Sequence, residues 1–314
     1  MTRYIVRRTI QSVFLLLGIS LIAFVIPRLA PGGPAAVSED PRLGREYVEQ
    51  QRREFGLDRP IPVQYVQWLW QALHGNFGRS FIDRRPVLET IGDRAPNTLL
   101  LAGTSLVLGL LGIPLGVVAA LHRGRFFDNA LRIFTVFGNA LPHWWLGLVI
   151  LLISVRTGHW LPLGGLSTPG DGSLPDRLHH LLLPALLGAI GGWLGFSRFM
   201  RSEFLEVIEL DYVRTARAKG LQERAIVVRH ALRNALIPIV TILGGSLAGL
   251  LSGSVLFENI FSWPGMGKLG VDSAFQRDYP VLIALVLISS TLIIVGQLLA
   301  DIAYGFVDPR VKLR

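Results

Sequence analysis

The sequence has few charged residues and no cysteine. Only 17% of its 314 residues are Asp, Glu, Lys or Arg, whereas soluble domains carry about 25%. Hydrophobic residues make up 51%, and the mean hydropathy is +0.47. This composition excludes a soluble enzyme, a fibrous protein and a disordered chain. The absence of cysteine excludes disulfide frameworks, thiolate metal sites and cysteine nucleophiles.

The apolar residues are gathered in six windows without charged side chains. These are Thr9–Pro27, Asn97–Leu121, Ile133–Val155, Leu181–Ser197, Leu236–Phe257 and Val281–Ala300. A helix of about 20 apolar residues crosses a bilayer, and hydrocarbon offers no other partner for backbone polar groups. The sequence therefore predicts six membrane-spanning helices. The fourth window is the shortest and contains Pro184 and four glycines, so a re-entrant segment is the alternative there.

The basic residues predict the orientation of the chain. Segments 1–8, 122–132, 198–235 and 301–314 hold 17 of the 31 Lys and Arg residues, whereas loops 156–180 and 258–280 hold two each. The positive-inside rule therefore places both termini in the cytoplasm of a cell-membrane protein. The net charge of +9 is assigned to topology and to contact with anionic lipid. No segment has the folded basic face with interleaved aromatics that nucleic acid requires.

The outer segment 31–96 is long enough to form a small extracytoplasmic subdomain. Two stretches, Gly44–Phe55 and Val63–Leu73, have helical patterns. Tyr65, Trp68 and Trp70 in the second stretch either anchor the segment at the membrane interface and pack locally, or form a surface for a partner.

The inner segment 198–235 is predicted to be a helix, a glycine break and a second helix. Asp211 is a candidate cap for a helix over Tyr212–Lys219, and Gly220 suits the left-handed position that ends a helix. A second helix over Gln222–Arg233 would continue into the fifth window. Ala216 and Gly220 are small enough for close docking of another protein, and a solvated linker is the alternative.

Ionisable residues are scarce in the windows, which argues against a proton- or sodium-coupled carrier. Small, polar and helix-breaking residues in the third and fifth windows either line an aqueous path or allow tight helix packing. The candidates for a path are Pro142, His143, Ser246, Gly249, Ser252, Ser254 and Glu258. Glycine pairs in the second and fourth windows, Gly112/Gly116 and Gly188/Gly192, favour close helix contact.

The sequence carries no enzyme signature. Residues 265–269, Gly-Met-Gly-Lys-Leu, lack the first glycine and the final Ser or Thr of a phosphate-binding loop. We therefore expect no catalytic residue, no bound cofactor and no metal in this chain. If ATP drives the protein, a separate subunit binds it.

Several motifs in one order identify a family. They are RLAPGGP, FGLDRPIPVQY, LHGNFGRSF, DYVRTARAKGL, RHALRNALIP, FENIFSWPGMGKLG, QRDYPV and DIAYGFVDPR. Over essentially its whole length the chain resembles the membrane permease subunit of dipeptide, oligopeptide and nickel ABC importers.

The resemblance implies an all-α, six-helix type I ABC importer fold. Residues 1–30 would form the N-terminal tail and first transmembrane helix, 31–96 the subdomain, 97–305 the transmembrane domain with its coupling loop 198–235, and 306–314 a cytoplasmic tail. It also implies a second permease subunit, two cytoplasmic ATPases that bind ATP and Mg²⁺, and an extracytoplasmic binding protein.

The resemblance assigns two sets of contact residues. The cytoplasmic EAA motif corresponds to Arg214-Thr215-Ala216 with Gly220 as its glycine, although Arg214 replaces a frequent Glu and Arg233 a usual Pro. The implied ATPase-coupling residues are Asp211, Tyr212, Arg214, Thr215, Ala216, Lys219 and Gly220. The implied binding-protein-facing residues are Trp263, Pro264, Gly265, Asp278 and Tyr279, and a plain turn at 263–265 is the alternative.

The implied function is ATP-driven uptake of di- or oligopeptides. Nickel or another small solute is the alternative within the family. A channel or carrier that works without ATP is the alternative outside it.

Overall fold

The computed structural model describes residues 2–29, 59–158, 160–250 and 254–307. These residues are helical, with turns and one isolated bridge pair between Arg79 and Pro86. The helices are α1 (Thr2–Leu29), α2 (Ile61–Leu73), α3 (Val87–Gly109), α4 (Gly112–Leu121), α5 (Phe126–Ala140), α6 (His143–Arg156), α7 (Leu174–Ile208), α8 (Asp211–Ala218), α9 (Glu223–Ala235), α10 (Ile237–Gly249), α11 (Val255–Ile260), α12 (Met266–Phe275) and α13 (Tyr279–Val307). The helix predicted over 44–55 lies outside the described residues.

Four segments are long and apolar enough to cross a membrane by themselves: Val6–Leu29, Val87–Leu121, Leu174–Ile208 and Tyr279–Leu299. They contain the first, second and fourth windows predicted from the sequence and all but the last residue of the sixth. The other two windows correspond to bent helix pairs, α5 with α6 and α9 with α10. The total reaches six spans when each bent pair is counted as one span.

The third window departs from the single helix expected, whereas the fourth agrees with the main expectation. The third is bent by 86° between α5 and α6, where Pro142, which has no N–H to donate, precedes α6. The fourth lies inside a continuous helix of 35 residues in spite of Pro184, so the re-entrant alternative is wrong. Window hydropathy detects neither effect, because it measures apolar content and not chain direction.

Helix α7 is the central element, and α3 and α4 pack along it. Their backbones approach closely at glycines: a Cβ added to Gly109 would lie 3.2 Å from the Cα of Gly192, and one added to Gly112 would lie 2.9 Å from the carbonyl oxygen of Trp193. Gly116 likewise faces Ser197 and Met200. The close packing expected at the glycines of these two windows is confirmed, and the structure shows that the two windows pack against each other.

The two halves of α7 pack against different parts of the chain. Leu181 and Ala185 in its first half form a cluster with Trp263, which precedes α12. Met200 and Phe204 in its second half form a cluster with Ala231, Ala235 and other residues of α9 and α10. Helix α7 therefore connects the α11–α12 region at one end of the molecule with α8 and α9 at the other.

A buried ion pair fixes α5 to the second half of α7. The Arg201 guanidinium donates to both carboxylate oxygens of Asp128, with Nη2–Oδ2 at 2.8 Å. The Asp128 side chain is 1% exposed and also accepts a hydrogen bond from the Gly124 N–H. Burial of this carboxylate is tolerated because it is paired and hydrogen-bonded.

The glycine contact yields a stability prediction. Gly192→Ala would place a methyl group against the Gly109 backbone, and overpacking of this kind costs about 1–3 kcal/mol. We expect a lower midpoint of thermal unfolding in detergent. Gly103→Ala is the matched control, since nothing lies within 4 Å of a Cβ there. Equal midpoints for the two variants would contradict the packing described.

Candidate functional site

A cavity of about 650 Å³ lies between α3, α7, α10 and α11. Its lining is mainly small and apolar, with glycines at 109, 188, 191, 192 and 195. Two ionisable residues contribute to the lining. They are Glu258, beside Thr98, and Arg198, in the second half of α7. A cavity of this volume falls within the ~300–1,000 Å³ range of small-molecule sites.

The cavity collects part of the path predicted from the sequence. Ser246, Ser254 and Glu258 line it. Pro142 and His143 lie outside its described lining, at the bend between α5 and α6. Gly249 is the last residue of α10, and Ser252 lies outside the described residues.

The His143 side chain has a hydrogen-bond partner within the chain. Its Nε2 lies 3.3 Å from the carbonyl oxygen of Gly138, and its ring lies beside Gly191. Among the described residues, no group of three or more His, Asp or Glu side chains is arranged to hold a metal ion.

Glu258 is the centre of a buried polar network. It is 1% exposed; its Oε1 accepts a hydrogen bond from the Thr98 hydroxyl at 2.9 Å, and its Oε2 accepts one from the Lys268 N–H at 3.0 Å. The Thr98 hydroxyl oxygen also accepts a hydrogen bond from the Met266 N–H at 2.7 Å. These bonds compensate for burial of a carboxylate and join α3, α11 and α12.

Gly265 is required by this network. A Cβ at this position would overlap the Glu258 carboxylate and the Thr98 hydroxyl. Glycine lets the backbone approach both groups closely. The segment 258–268, called the outer loop below, is thereby held against the start of the second window.

A second pair of hydrogen bonds secures the same loop. The Trp263 indole N–H donates to the Asn97 carbonyl oxygen at 2.8 Å, and the Asn97 side-chain amide donates to the Pro264 carbonyl oxygen at 2.9 Å. Thr98 and Glu258 also line the cavity, so the outer loop adjoins it at that end.

Four of the five residues predicted to face a binding protein are buried within the chain in this structure. Trp263 is 1% exposed, Asp278 4% and Tyr279 7%, and Gly265 is also buried. Asp278 accepts hydrogen bonds from the Ser80 hydroxyl and the Phe81 N–H. Pro264 is half-buried. These residues hold loops together because their polar groups find partners within the chain.

At the other end of the molecule, α8 packs on α9 through a small apolar contact. Val213 and Ile226 are 0% exposed and Ala216 is 6% exposed, and the three form one cluster. Ala216, predicted to dock against another protein, packs mainly against Val213 and Ile226 within the chain. Residues 211–235 are called the α8–α9 unit below.

Polar contacts reinforce this unit. Arg217 Nη2 donates to Glu223 Oε1 at 2.7 Å, and this hydrogen bond raises the pKa of the Arg217 guanidinium. The Asn234 amide donates to the Tyr212 hydroxyl at 2.8 Å. Gly220, between the two helices, has φ = 77°, so the predicted left-handed glycine is confirmed.

Two details of the unit differ from the sequence prediction. Leu210, without a side-chain cap hydrogen bond, occupies the N-cap position predicted for Asp211, and α8 begins at Asp211. Residues 226–232 of α9 form a π-helix instead of an α-helix. Asp211 still lies in the first turn, where a carboxylate favours the helix dipole.

Most of the other predicted coupling residues lie on the exposed surface of the unit. The side chain of Asp211 is 96% exposed and that of Arg214 is 69% exposed; Thr215, Lys219 and Gly220 are also exposed. These residues are available for contact with another protein, whereas Val213 and Ala216 hold α8 on α9.

Sequence reasoning missed Asn97, Thr98 and Arg198. Asn97 and Thr98 are two polar residues directly after Pro96 at the start of an apolar window, which is a detectable signal. Arg198 directly follows the fourth window and was counted only toward topology. The pairing of Thr98 with Glu258, 160 positions later, has no local signal.

Comparison with known families agrees with this architecture. The model of the binding-protein-dependent transport system inner membrane component matches residues 112–313. The corresponding N-terminal model matches residues 1–102.

Curated relatives match along their full length. The oligopeptide transport system permease protein AppB of Bacillus subtilis is 45% identical, over 99% of this chain and 100% of its own. A putative peptide permease protein of Brucella suis is 39% identical over 100% of both chains. The glutathione transport system permease protein GsiC of Salmonella choleraesuis is 38% identical over 100% of both.

A solved structure has a similar fold. A chain of the MetNI methionine ABC transporter, described in inward-facing conformations, superposes with a TM-score of 0.54 at 19% identity. The match covers 70% of this chain and 97% of that chain. Together with the family models over most of its length, these relatives place the chain in the family of inner membrane components of binding-protein-dependent transport systems: it is a membrane permease, not an enzyme.

Proposed function

We propose that this chain is one permease subunit of an ATP-driven importer for di- and oligopeptides. A second permease would complete the path, two cytoplasmic ATPases would bind and hydrolyse ATP, and an extracytoplasmic binding protein would deliver the peptide. The observation that carries the proposal is the full-length identity of 45% to an oligopeptide permease. Relatives at 38–39% identity are named for peptides and for glutathione, itself a small peptide.

The cavity supports a peptide more than nickel. Its lining offers small residues, a few hydroxyls and two ionisable groups far apart along the helices, which suits side chains of many shapes. Nickel would need several converging His or carboxylate ligands, and the described residues contain no such cluster. Family membership also disfavours a channel or carrier that works without ATP.

The α8–α9 unit is the proposed contact with the ATPases on the cytoplasmic side. Its exposed residues, including Arg214, Thr215 and Lys219, would meet an ATPase. The buried Val213–Ala216–Ile226 contact and the Arg217–Glu223 pair would make α8 and α9 move together. Closure of the ATPases would then displace α9, and with it the second half of α7.

Movement of α7 reaches the cavity directly. Ala231 and Ala235 of α9 pack against Met200 and Phe204 of α7, and α7 contributes Phe196 and Arg198 to the cavity lining. The outer loop, held by Thr98 and Glu258, would close the opposite end. Opening one end while the other stays closed is the alternating two-state change that transport requires.

The first prediction from this proposed function concerns transport itself. Proteoliposomes that contain the chain with its cognate permease, ATPases and binding protein should accumulate labelled di- or oligopeptides. They should do so only when ATP is present on the side of the membrane that carries the ATPases. Uptake should also require the binding protein. Uptake in nucleotide-free vesicles, or of nickel in place of peptide, would contradict the proposal.

The second prediction concerns ATPase contact. Arg214→Glu reverses a charge that is 69% exposed and should reduce copurification of the ATPases and peptide uptake severalfold. The reason is that repulsion replaces a surface contact while the packing of α8 is unchanged. Arg125→Glu, another exposed arginine on the same proposed side, is the control. Normal association and uptake for Arg214→Glu would exclude this contact.

The third prediction concerns the outer loop. Thr98→Val removes the hydroxyl that binds Glu258 and leaves the Met266 N–H without its partner, a loss of about 1–3 kcal/mol. We expect lower thermal stability in detergent and reduced peptide uptake. Thr98→Ser keeps the hydroxyl and should retain most of both. Wild-type values for the valine variant would show that the network does not hold the loop.

A further inference from the structure

Helix α2 has three distinct faces, of which one is apolar and uncovered. Tyr65 and Trp68 face α1, and the buried Ala72 lies on the same side of the helix. The residues Gln64, Gln67 and Gln71 form a polar stripe beside them. The third face carries Val63, Val66, Trp70 and Leu73, which are 42%, 63%, 66% and 73% exposed. Their spacing of three, four and three residues places them on one side of a helix.

The face toward α1 is well defined. The Tyr65 hydroxyl is hydrogen-bonded to the Ser20 hydroxyl at 2.8 Å. The Phe24 ring lies 5.4 Å from the rings of both Tyr65 and Trp68. Arg28 donates to the Gln64 side-chain oxygen at 3.1 Å. Helix α2 is therefore fixed beside the last three turns of α1.

These contacts set the depth of α2. The apolar span of α1 ends at Leu29, and Ser20 lies roughly 13 Å before that end at 1.5 Å per residue. The 24-residue span is roughly 36 Å long against a hydrocarbon core of about 30 Å. Even if the whole excess lies beyond the membrane at this end, Ser20 remains roughly 7 Å inside the core.

Helix α1 also exposes apolar side chains beside its contact with α2. Next to the residues that contact α2, the neighbouring turns of α1 expose Leu21 (48%), Ile22 (59%) and Ile26 (60%). Such side chains on a membrane-spanning helix face lipid. An apolar stripe at the same depth, with a polar stripe beside it, has the pattern of a helix at a membrane surface.

We infer that α2 lies in the bilayer interface at the C-terminal end of α1, with Val63, Val66, Trp70 and Leu73 against lipid acyl chains and the glutamine stripe toward water. The occupant of the uncovered face is the lipid bilayer. A surface groove of about 420 Å³ lined by Arg59, Val66, Gln67, Trp70 and Gln71 lies where apolar and polar surroundings would meet. Trp70 is a side chain typical of that boundary.

This assignment changes the picture of segment 31–96. Residues 61–73 would be a membrane-bound part of the chain and not part of a water-exposed subdomain. It rests on α1 as a membrane span and is independent of which solute is transported.

The test uses the natural absence of cysteine. Single variants Val66→Cys, Trp70→Cys and Leu73→Cys on the apolar stripe are paired with Gln67→Cys and Gln71→Cys on the polar stripe. Each full-length protein is spin-labelled in liposomes of phosphatidylcholine and phosphatidylglycerol. Collision rates with oxygen, which concentrates in lipid, and with a water-soluble nickel chelate are then measured. Ile22→Cys gives the lipid reference and Gln276→Cys, an exposed position after α12, gives the water reference.

We expect severalfold higher oxygen-to-nickel collision ratios at the three apolar positions than at the two glutamine positions. The apolar positions should approach the value at Ile22 and the glutamine positions the value at Gln276. Ratios near the water reference at all five positions would overturn the inference. Shielding of the apolar positions from both reagents would also overturn it, since that result indicates a protein partner. The Val66→Cys and Leu73→Cys variants retain Trp70, so the outcome does not depend on loss of the tryptophan.

Discussion

Interruptions of membrane helices leave carbonyl groups that water cannot reach, and this constraint shapes the whole bundle. At the break between α3 and α4, the Trp193 indole donates to the Leu108 carbonyl oxygen at 2.6 Å. At the bend before α6, His143 lies 3.3 Å from the Gly138 carbonyl oxygen. Within α3, where the outer loop is joined to it, the Asn97 carbonyl oxygen accepts a hydrogen bond from the Trp263 indole N–H. In each case an aromatic nitrogen supplies a donor where the chain changes direction or is joined to another segment.

The two functional regions are attached to the rest of the chain by different kinds of contact. The outer loop is attached to α3 by buried hydrogen bonds that leave little freedom of geometry, because Glu258, Thr98 and Gly265 lie in contact. The α8–α9 unit is attached by an apolar cluster and exposed ion pairs. Exposed pairs contribute little stability, typically up to about 1 kcal/mol. The surface proposed for the ATPases is therefore the more adaptable of the two.

The sequence predicted elements whose cause is local. The apolar windows, the helix predicted over 63–73, the left-handed Gly220 and the small-residue contacts of α7 all follow from composition, spacing or backbone freedom at single positions. The structure departed from prediction where the cause is a distant partner. Asp278 meets Ser80, and Trp263 meets Asn97, so residues that read as an outward surface are buried.

Chain direction is the other property that the sequence did not reveal. The third and fourth windows both contain or adjoin proline, yet α5 and α6 meet at 86° while α7 passes Pro184 as one helix. The difference lies in the packing around each proline, with Pro184 buried on α7 and Pro142 exposed before α6. Apolar content alone cannot separate the two cases.

The contact between Gly109 and Gly192 restricts how this chain can change over evolutionary time. A Cβ on Gly192 would lie 2.7 Å from the Gly109 Cα, and one on Gly109 would lie 3.2 Å from the Gly192 Cα. Since neither position has a side chain to shorten, no compensating substitution exists at its counterpart. Descendants of this sequence can acquire a larger residue at either position only by moving two helices apart, and both helices line the cavity.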